Sequence, residues 1–170
     1  MTPMSVRPAT VDDAQAIAGL HVRSWQAAYR GHMPDKLLDN LDPAVWTARW
    51  RRGLEHPRPA ETTFVAMAGA RIVGFATAVD AENGEGAVSA IYVDPPSWGT
   101  GAGRLLMDAA VAHLTGGARP RVVRLWALDG NERARRFYER YGFTIDGARG
   151  SHTVGGAFEV PTVRYTLQPG

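Results

Sequence analysis

The stretch IYVDPPSWGTGAG, Ile91 to Gly103, decides how this chain is read. A β-forming run ends in two prolines, and three glycines, Gly99, Gly101 and Gly103, then open a segment of good helix formers that continues to about Leu114. Strand, proline turn, glycine loop and helix in that order make an anion-binding geometry. Glycine lets the backbone approach a ligand, the free N–H groups of the first helical turn point outward, and the helix dipole favours negative charge there. The spacing is Gly-x-Gly-x-Gly. A dinucleotide fingerprint needs glycine at the next position, which is Arg104, and a P-loop needs a Gly-Lys-Ser/Thr that the chain lacks. Taken alone, the loop also reads as ordinary glycine punctuation between two elements.

Working downstream, the helix stops at Gly116-Gly117 and a β-rich run, RVVRLWAL, covers Arg121 to Leu128. Ala134, Phe137, Tyr138 and Tyr141 then fall at i, i+3, i+4 and i+7, one stripe of a short helix that Gly142 closes. Phe143 to Gly147 and Glu159 to Leu167 are predicted as the last two strands. Upstream, Gly86 to Val93 forms the strand entering the glycine loop, reached through the Glu82-Asn83-Gly84 turn from a hairpin of TTFVAM and RIVGFATAV. Before that hairpin, Thr10 and Asp13 resemble a capping box opening a helix from Val11 to about Tyr29, itself preceded by an extended Ser5 to Pro8. Gly31 and Pro34 end that helix, a short one spans Lys36 to Leu41, and a stretch from Pro43 to Leu54 offers Val45, Trp46, Trp50 and Leu54 to one face. The predicted order is β-α-α-β-β-β-α-β-α-β-β, an α/β fold with about seven strands in a mixed central sheet and about four helices on its two faces.

The 170 residues, 45% hydrophobic and 21% charged, suit one domain, 1–170, with a continuous core. Lys+Arg 19 against Asp+Glu 17 leaves +2, and the denser basic spots, Arg49, Arg51, Arg52 and Arg133, Arg135, Arg136, read as solvated helix faces, so no nucleic-acid partner is required. With no cysteine there is no disulfide framework, thiolate nucleophile or Cys-bound metal, and His21, His32, His56, His113 and His152 lack ligand spacing, so no metal is expected. The N-terminus has no signal-peptide pattern and no run approaches the ~18 apolar residues of a membrane span. A soluble cytoplasmic protein without a membrane partner is expected.

Together, IYVDPPSWGTGAGRLL and NERARRFYERYGF, Asn131 to Phe143, resemble the GNAT N-acetyltransferase superfamily. That family's second block, Asn-x-x-Ala-x-x-Phe-Tyr-x-x-x-Gly-Phe, is matched at Asn131, Ala134, Phe137, Tyr138, Gly142 and Phe143. In the first block Trp98 stands where Gln or Arg is usual. The resemblance implies a mostly antiparallel sheet and acetyl-CoA as cofactor. Backbone groups of Ile91, Tyr92 and Val93 would then run beside the pantetheine arm, the amides of Gly99, Thr100, Gly101, Ala102, Gly103 and Arg104 would hold the pyrophosphate, and Trp98 would lie in the cofactor site at the position where the family has Gln or Arg. Asn131, Ala134 and Phe137 would flank the cofactor, with Tyr138 near the thioester sulfur.

Acyl transfer to an amine needs a neutral nucleophile, a stabilised oxyanion and a proton for the leaving thiolate. The resemblance sets the Val93 N–H against the thioester carbonyl, and Tyr138, with an ordinary pKa near 10 against about 8.5 for a thiol, suits the proton donor. Many members carry a glutamate where this chain has Ala87. The base is then either a water relayed by Ser89 or Glu85, two positions earlier on the same strand face. His21, Trp25 and Tyr29 recur along one edge of the first helix and read either as an aromatic wall for an amine acceptor or as packing against the sheet. HTVGGA, His152 to Ala157, is expected as a loop forming the opposite wall. The function expected is acetyl transfer to a primary amine of a small molecule or peptide, in a chain whose exposed sheet edges suit a homodimer. A non-catalytic acyl-CoA-binding regulatory domain is the alternative, and nicotinamide or ATP use ranks last on the glycine spacing.

Overall fold

The computed structural model describes residues 2–81, 83–117, 121–154, 156 and 158–168. In chain order the elements are β1 (Met4–Pro8), α1 (Ala14–Ala28), α2 (Asp35–Asp39), α3 (Pro43–Glu55), β2 (Glu61–Ala68), β3 (Arg71–Asp80), β4 (Glu85–Val93), α4 (Ala102–Thr115), β5 (Val122–Leu128), α5 (Glu132–Tyr141), β6 (Thr144–Val154) and β7 (Phe158–Leu167). Short 3-10 turns at Val11–Asp13 and Pro95–Ser97 lead into α1 and α4. The strands form one sheet in the order β1-β2-β3-β4-β5-β7-β6. Of its neighbouring pairs only β4 and β5 run parallel.

Local chemistry accounts for the boundaries. The Asp13 carboxylate accepts from the Thr10 N–H at 2.7 Å and from the Arg7 guanidinium at 2.8 Å, which ties β1 to the start of α1. The described helices number five rather than about four. Gly31, at φ 88, turns the chain into the short α2, and Asp42 separately caps α3 by accepting from the Ala44 N–H at 2.9 Å. On α3, Trp46, Trp50 and Leu54 turn inward as expected, but Val45 is exposed, as are Arg49, Arg51 and Arg52.

The sheet is covered on both faces. Adjacent residues Val65 and Ala66 on β2, and Phe75 and Ala76 on β3, belong to different clusters, the first of each pair beneath α1 and α3 and the second beneath α4. Because β3 is sandwiched in this way, Val73 through Ala78 are all buried and the strand does not alternate. A third cluster joins Met107, Ala110 and Leu114 of α4 to Tyr138 of α5 and to Val123, Leu125, Val163 and Tyr165 of β5 and β7.

β6 departs from expectation by running on from Gly147 to Val154. Its register shifts between Ile145 and Arg149, where the Asp146 carboxylate accepts from the Ala148 N–H at 2.9 Å and the Thr166 hydroxyl at 2.6 Å. Such a bulge hides a strand among turn-forming residues. His152 to Val154, expected in a loop, therefore pair with β7, and Gly155 and Ala157 lie outside the described residues.

Candidate active site

The site begins as a gap in the sheet. β4 and β5 pair only at Glu85 with Val122, Gly86 with Val123 and Ala87 with Arg124. Beyond Ala87 they part, while β3 stays paired with β4 as far as Val93 and β7 stays paired with β5 as far as Leu128. A bulge marks the departure, since Ser89 falls where the register of β4 on β3 shifts. Unpaired strand edges are rare inside a sheet, because each buried peptide group needs a partner. Here the edge faces a cavity of about 910 Å³, lined along β4 from Glu85 to Val93 and along β5 from Arg124 to Leu128. The Asp94 N–H bonds back to Val73 of β3 at 2.8 Å, so by alternation the peptide groups of Val93 and Ile91 point into the gap. The Val93 carbonyl is already engaged there by the Ser24 hydroxyl at 3.2 Å and by Trp98 Nε1 at 2.8 Å, so of its two peptide groups only the N–H is left for a ligand. A bidentate pair between Arg23 and the buried Asp94, with both bonds at 3.0 Å, pins α1 to this end of β4.

At the outer mouth the glycines do different work. Gly99 at φ 77 and Gly101 at φ 93 adopt backbone that other residues rarely take, and a Cβ on either would meet only open space. Gly101 therefore turns the chain so that the N–H groups of the first turn of α4 face the cavity. Gly103 is a packing glycine, since its Cβ would lie 3.3 Å from the Phe137 ring. The Thr100 hydroxyl donates to Ser97 O at 2.6 Å and does not line the cavity, which leaves Thr100 only a backbone contribution. The face of Trp98 carries the Arg133 guanidinium, 3.5 Å from the ring centroid.

Arg104, Arg133 and Arg140 line this mouth, and none has an ion-pair partner among the described residues. Burial, and then repulsion from Arg140, lower the pKa of Arg133 from its ordinary value, so an anion placed between the two would relieve both effects. The reading of Arg133, Arg135 and Arg136 as a solvated face holds for Arg133 and Arg136, which are exposed, and fails for Arg135. Arg133 lies on the Trp98 ring while remaining exposed, and Arg135 donates to the Tyr165 hydroxyl at 2.9 Å and to Asp129 at 3.0 Å. Arg133 and Arg140 were missed although their spacing around Phe137, i, i+4 and i+7, carries the signal.

Deeper in the gap stand three tyrosines. Tyr138 is 8% exposed, and its hydroxyl makes no hydrogen bond among the described residues. Burial first, then Tyr92 and Tyr165, push its pKa upward. The Tyr29 and Tyr92 hydroxyls bond to each other at 3.0 Å, and burial raises both. All three stay protonated at neutral pH. Ala134 and Asn131 also line the cavity, and Asn131 caps α5 by accepting from the Ala134 N–H at 3.2 Å.

Glu85 is the clearest correction. Its carboxylate accepts from Arg124 Nη1 at 2.6 Å at the closed end of the gap. Ile91 lies six positions farther on, roughly 20 Å at about 3.3 Å per residue. So placed, the carboxylate has no direct reach to chemistry beside Val93, and it lines the same cavity only at its closed end. Ser89 is exposed and lines the cavity at the bulge.

His21 is corrected as well. It packs against Trp25, Trp46, Trp50, Phe75 and Tyr92, and its Nδ1 accepts from Trp50 Nε1 at 3.2 Å. Burial pushes its pKa down to about 3, so the ring is neutral and fixes Trp50 rather than recognising an amine. Tyr29 and Trp25 do line the main cavity, and His152 meets Trp25 edge-on at 6.2 Å from across it. Trp25 also walls a second cavity, formed by α1, α2, α3 and the end of β6.

Residues 22–143 match the Acetyltransferase (GNAT) family. This chain belongs to that family, whose reaction is acetyl transfer. Among its relatives, an uncharacterized N-acetyltransferase of Mycobacterium tuberculosis is 32% identical over 138 residues, 81% of this chain and 86% of the relative. The fold is shared with the PaiA N-acetyltransferase of Thermoplasma acidophilum, solved in complex with coenzyme A, at a TM-score of 0.78 and 15% identity, covering 98% of this chain and 99% of that one. It is shared also with YncA of Salmonella typhimurium, a structure with its cofactor acetyl-CoA, at a TM-score of 0.68 and 18% identity over 97% and 93% of the two chains. Among the described residues no helix is long and apolar enough to cross a membrane, and no three His, Cys, Asp or Glu side chains gather as a metal site.

Proposed function

We propose that this chain is an acetyl-CoA-dependent N-acetyltransferase that moves the acetyl group directly to a primary amine of a small molecule or peptide. The observation that carries the reading is the open edge of β4 beside the unpartnered Tyr138 hydroxyl, closed at its outer end by a glycine loop and three unneutralised arginines. An extended, amide-bearing arm ending in a pyrophosphate fits those features together: the free peptide groups of Ile91 and the Val93 N–H pair with it like an added strand, while the α4 N-terminus, Arg104, Arg133 and Arg140 take the charge. The bound coenzyme complexes of the two similarly folded proteins support this reading.

Acetyl-CoA supplies an activated thioester. The Val93 N–H donates to the carbonyl oxygen as it gains charge, a fixed dipole worth roughly 3 to 4 kcal/mol in such sites. The C–N bond forms, the C–S bond breaks, and Tyr138 donates to the departing sulfur, which takes its proton as the one released by the amine restores the tyrosine, an assistance of about 10² to 10⁴ in rate. The amine's proton leaves through a water held at the Ser89 hydroxyl. Tyr29 and Tyr92, locked on each other, keep the acceptor side of the cavity in one shape.

The commitment of Glu85 to Arg124 favours a second reading, an acyl-CoA-binding regulatory domain without turnover. Release of CoA thiol separates the two. Because the chain has no cysteine, a thiol reagent sees only the released product. Turnover on at least one amine supports the transferase, and coenzyme binding with no turnover on any amine supports the regulatory domain.

A further inference from the structure

The second cavity, of about 1140 Å³, adjoins the first at Trp25, which lines both. Its walls are Trp25 and His21 of α1, Leu37 and Leu41, and Trp46 and Trp50 of α3, so its surface is chiefly aromatic and aliphatic. Its charges point to what it holds. The charged groups lining it are Lys36 and Arg49; neither has an ion-pair partner, and no carboxylate joins them among the described residues. Trp25 Nε1, at the wall the two cavities share, is buried beside the Tyr92 hydroxyl without a well-formed hydrogen bond. His21 adds no charge, because its Nδ1 is taken by Trp50 and its ring is neutral.

We propose that the acceptor is an amine joined through an apolar, ring-sized body to an anionic group. The body fills the α1–α3 cavity, the anion meets Lys36 and Arg49, and the amine emerges past Trp25 beside the open edge of β4. This rests on the acetyltransferase reading above and names its substrate class. A polyamine is disfavoured: the rings would attract a cation, but the rim offers it two like charges and no counter-charge. The transfer step is unchanged, with the acceptor nitrogen gaining the acetyl carbon and losing one proton as CoA leaves as its thiol.

The test compares 4-(aminomethyl)benzoate, benzylamine and spermidine as acceptors by release of CoA thiol, alongside quenching of tryptophan fluorescence as 4-(aminomethyl)benzoate is titrated into the CoA-loaded protein. The proposal expects kcat/KM to fall about tenfold from the benzoate to benzylamine, the effect of one well-placed charge, and to be lowest for spermidine. Arg49→Glu, on an exposed helix position, abolishes the benzoate's advantage, and Lys36→Glu is the independent second variant. Turnover that favours spermidine, or a benzoate advantage that survives both variants, overturns the substrate class and leaves acetyl transfer standing. Saturable benzoate binding weakened by Arg49→Glu, with no turnover of any amine, supports the cavity assignment and sinks the transfer. Neither binding nor turnover sinks both.

Discussion

Tyr138 is the residue on which the chemistry turns, because it is a buried donor with no partner of its own. Replacing it with phenylalanine keeps the ring among Phe137, Phe143 and Tyr165 and removes only the hydroxyl. Tyr138→Phe should lower kcat by about 100-fold or more while the acetyl-CoA dissociation constant stays within about threefold, measured by thiol release and calorimetry. An equal loss in both would make the hydroxyl a binding group. His21 gives a pH prediction. Its pKa is depressed to about 3 in the folded protein against an ordinary 6.5, so below pH 6.5 the unfolded chain takes up a proton that the folded one refuses. Stability is full above about pH 6.5 and falls as pH drops toward 3, with a slope approaching roughly 1.4 kcal/mol per unit. Urea midpoints across that range should fall less steeply in His21→Gln than in the wild type, and parallel curves would remove His21 as the source.

At the scale of elements, the glycine loop and α5 form one device. Gly101 caps α4 at φ 93, so Gly101→Ala should cost about 1 to 2 kcal/mol in a urea titration, the penalty for a side chain in left-handed backbone. Arg133→Ala and Arg140→Ala should each weaken coenzyme binding by up to about fivefold at low salt, a loss that shrinks as salt screens the charges. Much of this was readable in the chain, because it is local. The three glycines between strand and helix declare an anion-binding loop, Gly142 declares the end of the short helix, and the stripe Ala134, Phe137, Tyr138, Tyr141 declares a buried face. The spacing of Arg133 was readable but its contact with Trp98 was not, because the turn after β4 brings Trp98 to it from far along the sequence. β6 beyond Gly147 was hidden for a related reason. Its pairing is set by Asp146 gripping Thr166 and Arg164 on β7, while its own residues read as turn formers.

For the whole molecule, the decisive feature is the parting of β4 from β5, and nothing in either strand's own sequence states it. Strand type and order follow from periodicity, but which neighbour a strand keeps, and for how many residues, is set by the packing of α4 and α5 on one face and α1 on the other. The same long-range placement made Glu85 the partner of Arg124 at the closed end of the gap, and made His21 an uncharged wall of the second cavity that holds Trp50. Residue-resolved amide exchange with and without coenzyme A tests the central claim most directly. Saturating coenzyme should slow exchange at Ile91, Val93 and the first turn of α4, at least tenfold more than at Glu85 or on β1. Protection confined to other elements, with Ile91 and Val93 unchanged, would contradict a coenzyme arm lying along the open edge of β4.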